Sequence, residues 1–204
     1  MRAKSAAAKT DHFRKEVLIT GFGGQGIVLA GNILGRAASL LDHRESTLTQ
    51  SYGPEARGGA CSAQVIISDE TIHYPYVRNP DIVVCMSQGG FDKFSPLLHK
   101  DGTLIVDQDL VHAGKSSSKS SFSVPATRFA EEMGRKMMAN IVMLGFLTAV
   151  TETVTVESAL KTVEASVPKG TEQMNIKAFN KGYDFGVATL KGRRKKAAGM
   201  KGVK

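Results

Sequence analysis

Gly21-Phe22-Gly23-Gly24-Gln25-Gly26 places glycines at the first, third and sixth positions of a six-residue turn. Glycine tolerates positive φ and lets backbone come close to a ligand. A helix opening after such a turn presents free N–H groups and positive partial charge to an anion. The chemistry on offer is therefore the binding of a phosphate or nucleotide. A nicotinamide dinucleotide site adds an acidic residue about 20 positions further on, at the end of the second strand. Here that strand ends near Gln50-Ser51, and Asp42 and Glu45 lie before it. Three readings stand open: tight strand–helix packing, contact with an anion or nucleotide, and a dinucleotide site.

The second polar, glycine-bearing segment is Ser51-Tyr52-Gly53-Pro54-Glu55-Ala56-Arg57-Gly58-Gly59. The guanidinium of Arg57 can pair bidentately with a carboxylate or phosphate, while Glu55 offers a rival local or inter-subunit ion pair. Ser51 and Tyr52 supply hydroxyls that bind a ligand or fix the loop. Gln25 both donates and accepts. The candidate binding set is Gly21, Gly23, Gly24, Gln25, Gly26, Ser51, Tyr52, Gly53, Arg57 and Gly58. Asn140 is the polar member of an apolar run and is expected to cap a helix start or make a polar contact at an interface.

Other constellations are missing from the sequence. Neither Gly-x-Ser-x-Gly nor a phosphate loop ending in Gly-Lys-Ser/Thr occurs, which argues against a self-contained hydrolase or ATPase. The five histidines show no metal-ligand spacing. Cys61 and Cys85 sit in apolar stretches and read as small buried hydrophobes. Two cysteines fall short of the four that usually hold an iron–sulfur cluster, so no metal is assigned to this chain.

The elements that must position these residues are legible in outline. Residues 16–20 read as a buried strand, followed by the glycine turn. Ile27, Ala30, Leu34, Ala37 and Leu41 then mark one face of a helix over about 24–41. Further strands are expected at 46–51, 61–68, 81–86 and 103–107, with a short one at 122–124. Helices are expected at 88–98, from 126, and at 138–150, 156–166 and 172–190. Strands alternating with helices predict an α/β, Rossmann-like sheet with helices on both faces and a helical C-terminal third.

Charge draws the boundaries. The 204 residues hold 27 Lys+Arg and 19 Asp+Glu, a formal +8. Residues 1–15 carry +4 and residues 191–204 carry +7, leaving −3 for the body. One domain over 16–190 is expected, between disordered basic tails at 1–15 and 191–204. A nucleic-acid role would rest on the tails alone, where Phe13 is the single aromatic, so none is expected. No stretch of about 18 apolar residues suggests a membrane span. The first 15 residues lack the apolar core of a secretory signal, and a cytoplasmic location is expected.

The glycine turn, the Ser51–Gly59 segment, Asn140-Ile141-Val142-Met143-Leu144-Gly145 and Val167-Pro168-Lys169-Gly170-Thr171-Glu172 occur in this order. Together they resemble the gamma subunit of 2-oxoacid:ferredoxin oxidoreductases (the pyruvate/ketoisovalerate oxidoreductase catalytic-domain family) over roughly 16–190. The Ser-Tyr-Gly-Pro-Glu form is similar to the 2-oxoglutarate branch. Branched-chain enzymes share much of it, and pyruvate-type subunits carry a more Phe- and Arg-rich version.

The resemblance implies one subunit of an enzyme that turns a 2-oxoacid and coenzyme A into acyl-CoA and carbon dioxide, passing electrons to ferredoxin. It implies alpha and beta partners, with a ferredoxin-like delta subunit in some assemblies. Thiamine diphosphate, Mg2+ and iron–sulfur clusters would sit on those partners, with coenzyme A as co-substrate. No cofactor and no catalytic residue is expected on this chain alone. A stand-alone NAD(P)-dependent dehydrogenase is the remaining alternative.

Overall fold

The computed structural model describes residues 12–53, 59–114 and 120–201. Six strands form one mixed sheet: β1 (Arg14–Phe22), β2 (Glu45–Tyr52), β3 (Ala60–Ser68), β4 (Ile82–Cys85), β5 (Thr103–Asp107) and β6 (Ser120–Val124). Their order across the sheet is β2-β3-β1-β4-β5-β6. β1, β4, β5 and β6 run parallel, while β3 is antiparallel to both β1 and β2. The short β-branched runs at 82–85 and 103–107 are buried throughout or nearly so. That is the pattern of strands covered on both faces.

Six helices accompany the sheet: α1 (Ile27–Arg36), which ends in a π-helical turn at Ala37–Leu41, α2 (Gln88–Phe94), α3 (Ala126–Glu132), α4 (Ala139–Thr151), α5 (Val156–Ser166) and α6 (Glu172–Lys201). Val17, Ile19, Val65, Val84, Ile105 and Phe122 form one continuous core with the inner faces of α1 and α3 to α6. On the opposite face Leu18, Val83, Cys85, Leu104 and Val106 pack against Phe91, Phe94 and Leu98. Period-two alternation along the strands sends neighbouring residues to different layers. The expected α/β sheet with helices on both faces and a helical C-terminal third is what forms.

Two expected boundaries move. β1 begins at Arg14 rather than at residue 16, with Arg14 opposite Ser68 and Lys15 opposite Ile67. Strand pairing uses backbone groups and needs no apolar side chain at the rim. Residues 1–11 lie outside the described part. At the other end α6 runs to Lys201, where the sequence suggested that helix stops at 190 and a tail follows. Lys, Arg and Ala are good helix formers and no proline interrupts them. Arg193 also fastens this stretch, donating to the Ser121 carbonyl and stacking 3.7 Å from the Phe122 ring centre.

α4 is almost wholly buried, which explains its apolar sequence. It crosses α6 closely at two glycines. A Cβ on Gly145 would overlap the Phe179 carbonyl, and one on Gly182 the Val142 carbonyl.

Asp42 ties the end of the π-helical turn to the start of α5. Its carboxylate accepts from Thr155 N and Oγ1, both at 2.8 Å, and from Ser158 Oγ at 2.6 Å. Burial raises its pKa, but hydrogen bonds from Ser158 and Thr155, helped by Arg44, hold it below the ordinary 3.8. A depressed carboxylate pKa gives stability that is full above the unfolded-state value and is lost as pH falls through the folded value. Asp42→Asn is expected to lower Tm at pH 7 and to flatten the loss of stability below about pH 4. Thermal melts between pH 3 and 7 check this.

Candidate functional site

The carboxyl ends of β1 and β4 mark the point where the chain turns to opposite sides of the sheet. From β1 it moves out through α1 to β2, and from β4 through α2 to β5. Open α/β sheets bind ligands at such points. The glycine turn lies there. Gln25 fills the gap with its own amide: Oε1 accepts from Phe22 N at 2.6 Å and Nε2 donates to the Met86 carbonyl at 3.0 Å. Gly21 leaves room for that side chain, since a Cβ would overlap Gln25 Oε1.

The register brings the first two motifs together. Gly21 and Tyr52 both pair with Cys61, from opposite sides of β3. Gly23 N donates to the Gly59 carbonyl at 2.9 Å, and Gly53 N to that of Ala60 at 2.6 Å. Ser51 and Tyr52 are exposed, and among the described residues the Tyr52 hydroxyl donates to Gln50 Oε1, at 3.4 Å. Arg57 and Gly58 lie outside the described residues.

Gly26 caps α1 at φ 73°, with no side-chain cap on that helix among the described residues. A Cβ here would be strained in φ and would also overlap the Asn140 amide. Asn140 is 2% exposed, and its Nδ2 donates to the Gly26 carbonyl at 3.1 Å. Asn140 thus joins α4 to the glycine turn; no side chain caps the start of α4. Its Oδ1 is buried with no hydrogen-bond partner among the described residues. An orphaned buried acceptor costs about 1–3 kcal/mol, so it marks a place where a donor would be welcome.

Asn140 stands in the wall of a cavity of about 470 Å3, with its Oδ1 out of solvent reach. Gly24 and Gly26 come from the first motif, Asn140 and Ile141 from the third, and Val167, Pro168 and Thr171 from the fourth. Leu29, Met138 and Met174 make the lining largely apolar, and Arg135 and Lys136 stand in it as cations. Gly134, at φ 82°, turns the chain out of α3 into this Arg135–Met138 stretch, where Met137 is 78% exposed. Sequence reasoning did not find Arg135, Lys136 or Met174, because nothing in their local pattern announces a pocket. The chemistry available is that of binding: an apolar slot with positive charge at its wall.

Among the described residues no three His, Cys, Asp or Glu side chains gather to hold a metal. Cys61 and Cys85 are buried on separate strands. Burial, with a smaller contribution from Asp92, pushes the Cys85 thiol up to about 12, and burial also raises Cys61. Neither thiol is expected to react with Ellman's reagent at pH 8 in the folded chain, and both should react in guanidinium.

The fold and site define a class: an α/β binding subunit whose cleft lies beside a glycine turn, with the turn's own crevice closed by Gln25. The chain belongs to the pyruvate ferredoxin/flavodoxin oxidoreductase family, whose model matches residues 16–185. It is 52% identical over 174 residues to the 2-oxoglutarate synthase subunit KorC of Methanocaldococcus jannaschii, covering 84% of this chain and 93% of that one. A keto/oxoacid ferredoxin oxidoreductase gamma subunit from Geobacter sulfurreducens superposes with a TM-score of 0.75 at 38% identity, covering 85% of this chain and 99% of that one. The fold also recurs, at TM-score 0.77 and 18% identity, in a Magnetococcus marinus 2-oxoglutarate:ferredoxin oxidoreductase with 2-oxoglutarate, coenzyme A and succinyl-CoA bound. There the match covers 86% of this chain and 31% of that one. As a family member the chain is one subunit of a multi-subunit oxidoreductase. No described helix is long and apolar enough to cross a membrane.

Proposed function

We propose that this chain is the gamma subunit of a cytoplasmic 2-oxoglutarate:ferredoxin oxidoreductase and that it holds coenzyme A for the reaction. The supporting observation is the meeting of the first, third and fourth motifs at one cavity, with the second motif, at the end of β2, tied to the glycine turn through Gly23 N and the Gly59 carbonyl. The pantetheine arm of coenzyme A is largely apolar, carries amide N–H groups and ends in phosphates. The apolar walls suit its stem, and Arg135, Lys136 and the N-terminus of α1 suit the phosphates.

Thiamine diphosphate with Mg2+, and iron–sulfur clusters, belong in this reading to the alpha, beta and, where present, delta subunits. Thiamine diphosphate supplies the electron sink for decarboxylation. This chain orients the thiol carrier and excludes water from its arm. Gln25 and Asn140 do that work by holding the glycine turn rigid against β4 and α4. Ferredoxin receives the electrons through the assembly.

The test is reconstitution with the partner subunits and assay of coenzyme A-dependent dye reduction. Succinyl-CoA formation from 2-oxoglutarate is expected to exceed by at least tenfold the acyl-CoA formed from pyruvate or branched-chain 2-oxoacids. Faster turnover of one of those acids would reassign the substrate. Failure to co-purify with alpha and beta would overturn the subunit reading itself, and tight binding of NADH or NADPH by the isolated chain would favour the dehydrogenase alternative.

A further inference from the structure

One polar side chain in the cavity wall has no part in holding the stem or the phosphates. Asn175 lies in the first turn of α6 and borders the cavity with Val167, Pro168, Thr171 and Met174. It is 7% exposed. Its Nδ2 donates to the Thr171 carbonyl at 2.9 Å and to Thr171 Oγ1 at 3.1 Å. Those two bonds take both amide hydrogens. A carbonyl accepts and never donates, so the amide cannot be turned over without losing its partner. Oδ1 is therefore the atom left for a ligand. It accepts from no described residue and, unlike Asn140 Oδ1, is not sealed from solvent.

A helix N-terminus invites an anion, yet this end of the cavity suits one poorly. Glu172 already supplies negative charge in the first turn of α6, and Lys169 does not border the cavity. The cations of the wall are Arg135 and Lys136, from the segment after α3. The α6 end is thus apolar and uncharged, with one fixed acceptor. Such an acceptor is costly to leave unpaired once a ligand displaces water. It selects a neutral group that donates an N–H or O–H.

We propose that Asn175 Oδ1 accepts from the amino group of the adenine of coenzyme A, so that Asn175, locked by Thr171, selects adenine at this site. This rests on the coenzyme A reading above. In that reading the thiol must leave this chain, because thiamine diphosphate belongs to a partner, and the nucleotide is the end that stays. Adenine is neutral, flat and apolar on its faces. Val167, Pro168 and Met174 offer it apolar surface, and a thioether sulfur adjoins an aromatic ring favourably. Its amino group is a donor, whereas guanine carries a carbonyl oxygen at the same place, as does hypoxanthine. With either of those bases two acceptors would meet and neither would be paired. The stem then runs on past Lys136 and Met137, which also border a second cavity of about 200 Å3 beside Gly24 and Gln25.

The experiment uses the full chain assembled with its alpha and beta partners. KM is measured for coenzyme A and for its deaminated analogue, in which hypoxanthine replaces adenine. Wild type is expected to show a KM about 10- to 100-fold higher for the analogue, with kcat within about twofold. Asn175→Ala should bring the two KM values within about threefold of each other. Asn175→Asp keeps an acceptor and should keep the preference for adenine. Both variants lose the Nδ2 bonds to Thr171, so a preference lost in one and kept in the other reports the acceptor and not the folding of α6. Equal KM values in wild type overturn the proposal, as does a preference that survives Asn175→Ala. If neither Asn175→Ala nor Asn140→Leu moves either KM, the coenzyme A reading of the cavity fails as well, a separate result.

Discussion

Gly145→Ala and Gly182→Ala are each expected to lower the stability of the chain by at least about 3 kcal/mol, the upper range of overpacking costs. Leucine at either position should leave no folded protein. Helix propensity alone predicts the opposite sign, because alanine exceeds glycine by about 1 kcal/mol inside a helix. Sterics win because the clashing atoms are carbonyl oxygens of a packed neighbouring helix, Phe179 for Gly145 and Val142 for Gly182. Backbone held in two ladders cannot give way as a flexible side chain does. Gly192 supplies the control: it lies in the same α6 with nothing within 4 Å of a built Cβ. Gly192→Ala should therefore stabilise by roughly 0.5–1 kcal/mol. Urea denaturation of the three variants reads all of these, and a neutral Gly145→Ala would mean that α4 and α6 do not cross as described.

Asn140→Leu is expected to raise KM for coenzyme A in the assembled enzyme by about 10- to 100-fold, with a smaller change in kcat. Leucine keeps the branching at Cγ but removes both amide functions. The Gly26 carbonyl keeps Ala30 N but loses the Asn140 donor that ties it to α4, and the buried acceptor at Oδ1 disappears. The lost Asn140–Gly26 hydrogen bond and the loosened glycine turn at the cavity wall together account for about 1.4–2.7 kcal/mol. KM for the 2-oxoacid should stay within twofold, since the proposed function leaves the reacting carbon to other subunits. A variant whose two KM values rise together would point to a general structural role instead. Unchanged coenzyme A kinetics would remove the cavity from the proposed site.

Much of the frame was readable in residue order. The buried strands at 82–85 and 103–107 announced themselves as short apolar runs, α1 by its three-and-four spacing, and α4 by thirteen residues with a single strongly polar member. What the sequence withheld was long-range. Nothing near residues 60–68 tells that this strand slips between β1 and β2, because pairing is decided by partners far away in sequence. Asn140 looked like a helix-start residue, and only packing shows its amide spent on a carbonyl 114 positions earlier. Gln25 looked free to meet a ligand, yet its two hydrogen bonds go to Phe22 and Met86. The basic stretch after Leu190 looked like a tail since charge was its loudest signal, while the Arg193 anchor depends on the edge of β6. Arg57 and Gly58 remain expectations from the sequence.

The place of β3 has a consequence for what this lineage can become. In a dinucleotide-binding sheet the second strand lies next to the first, so its terminal acid can reach the ribose. Here an intervening strand carries the end of β2 one spacing, about 4.8 Å, further out. A point change to Asp or Glu at Gln50 or Ser51 would leave the carboxylate stranded beyond reach. Acquiring nicotinamide chemistry would require withdrawing a strand and evicting the Gln25 amide together. The topology insulates this subunit from the commonest cofactor of its fold class.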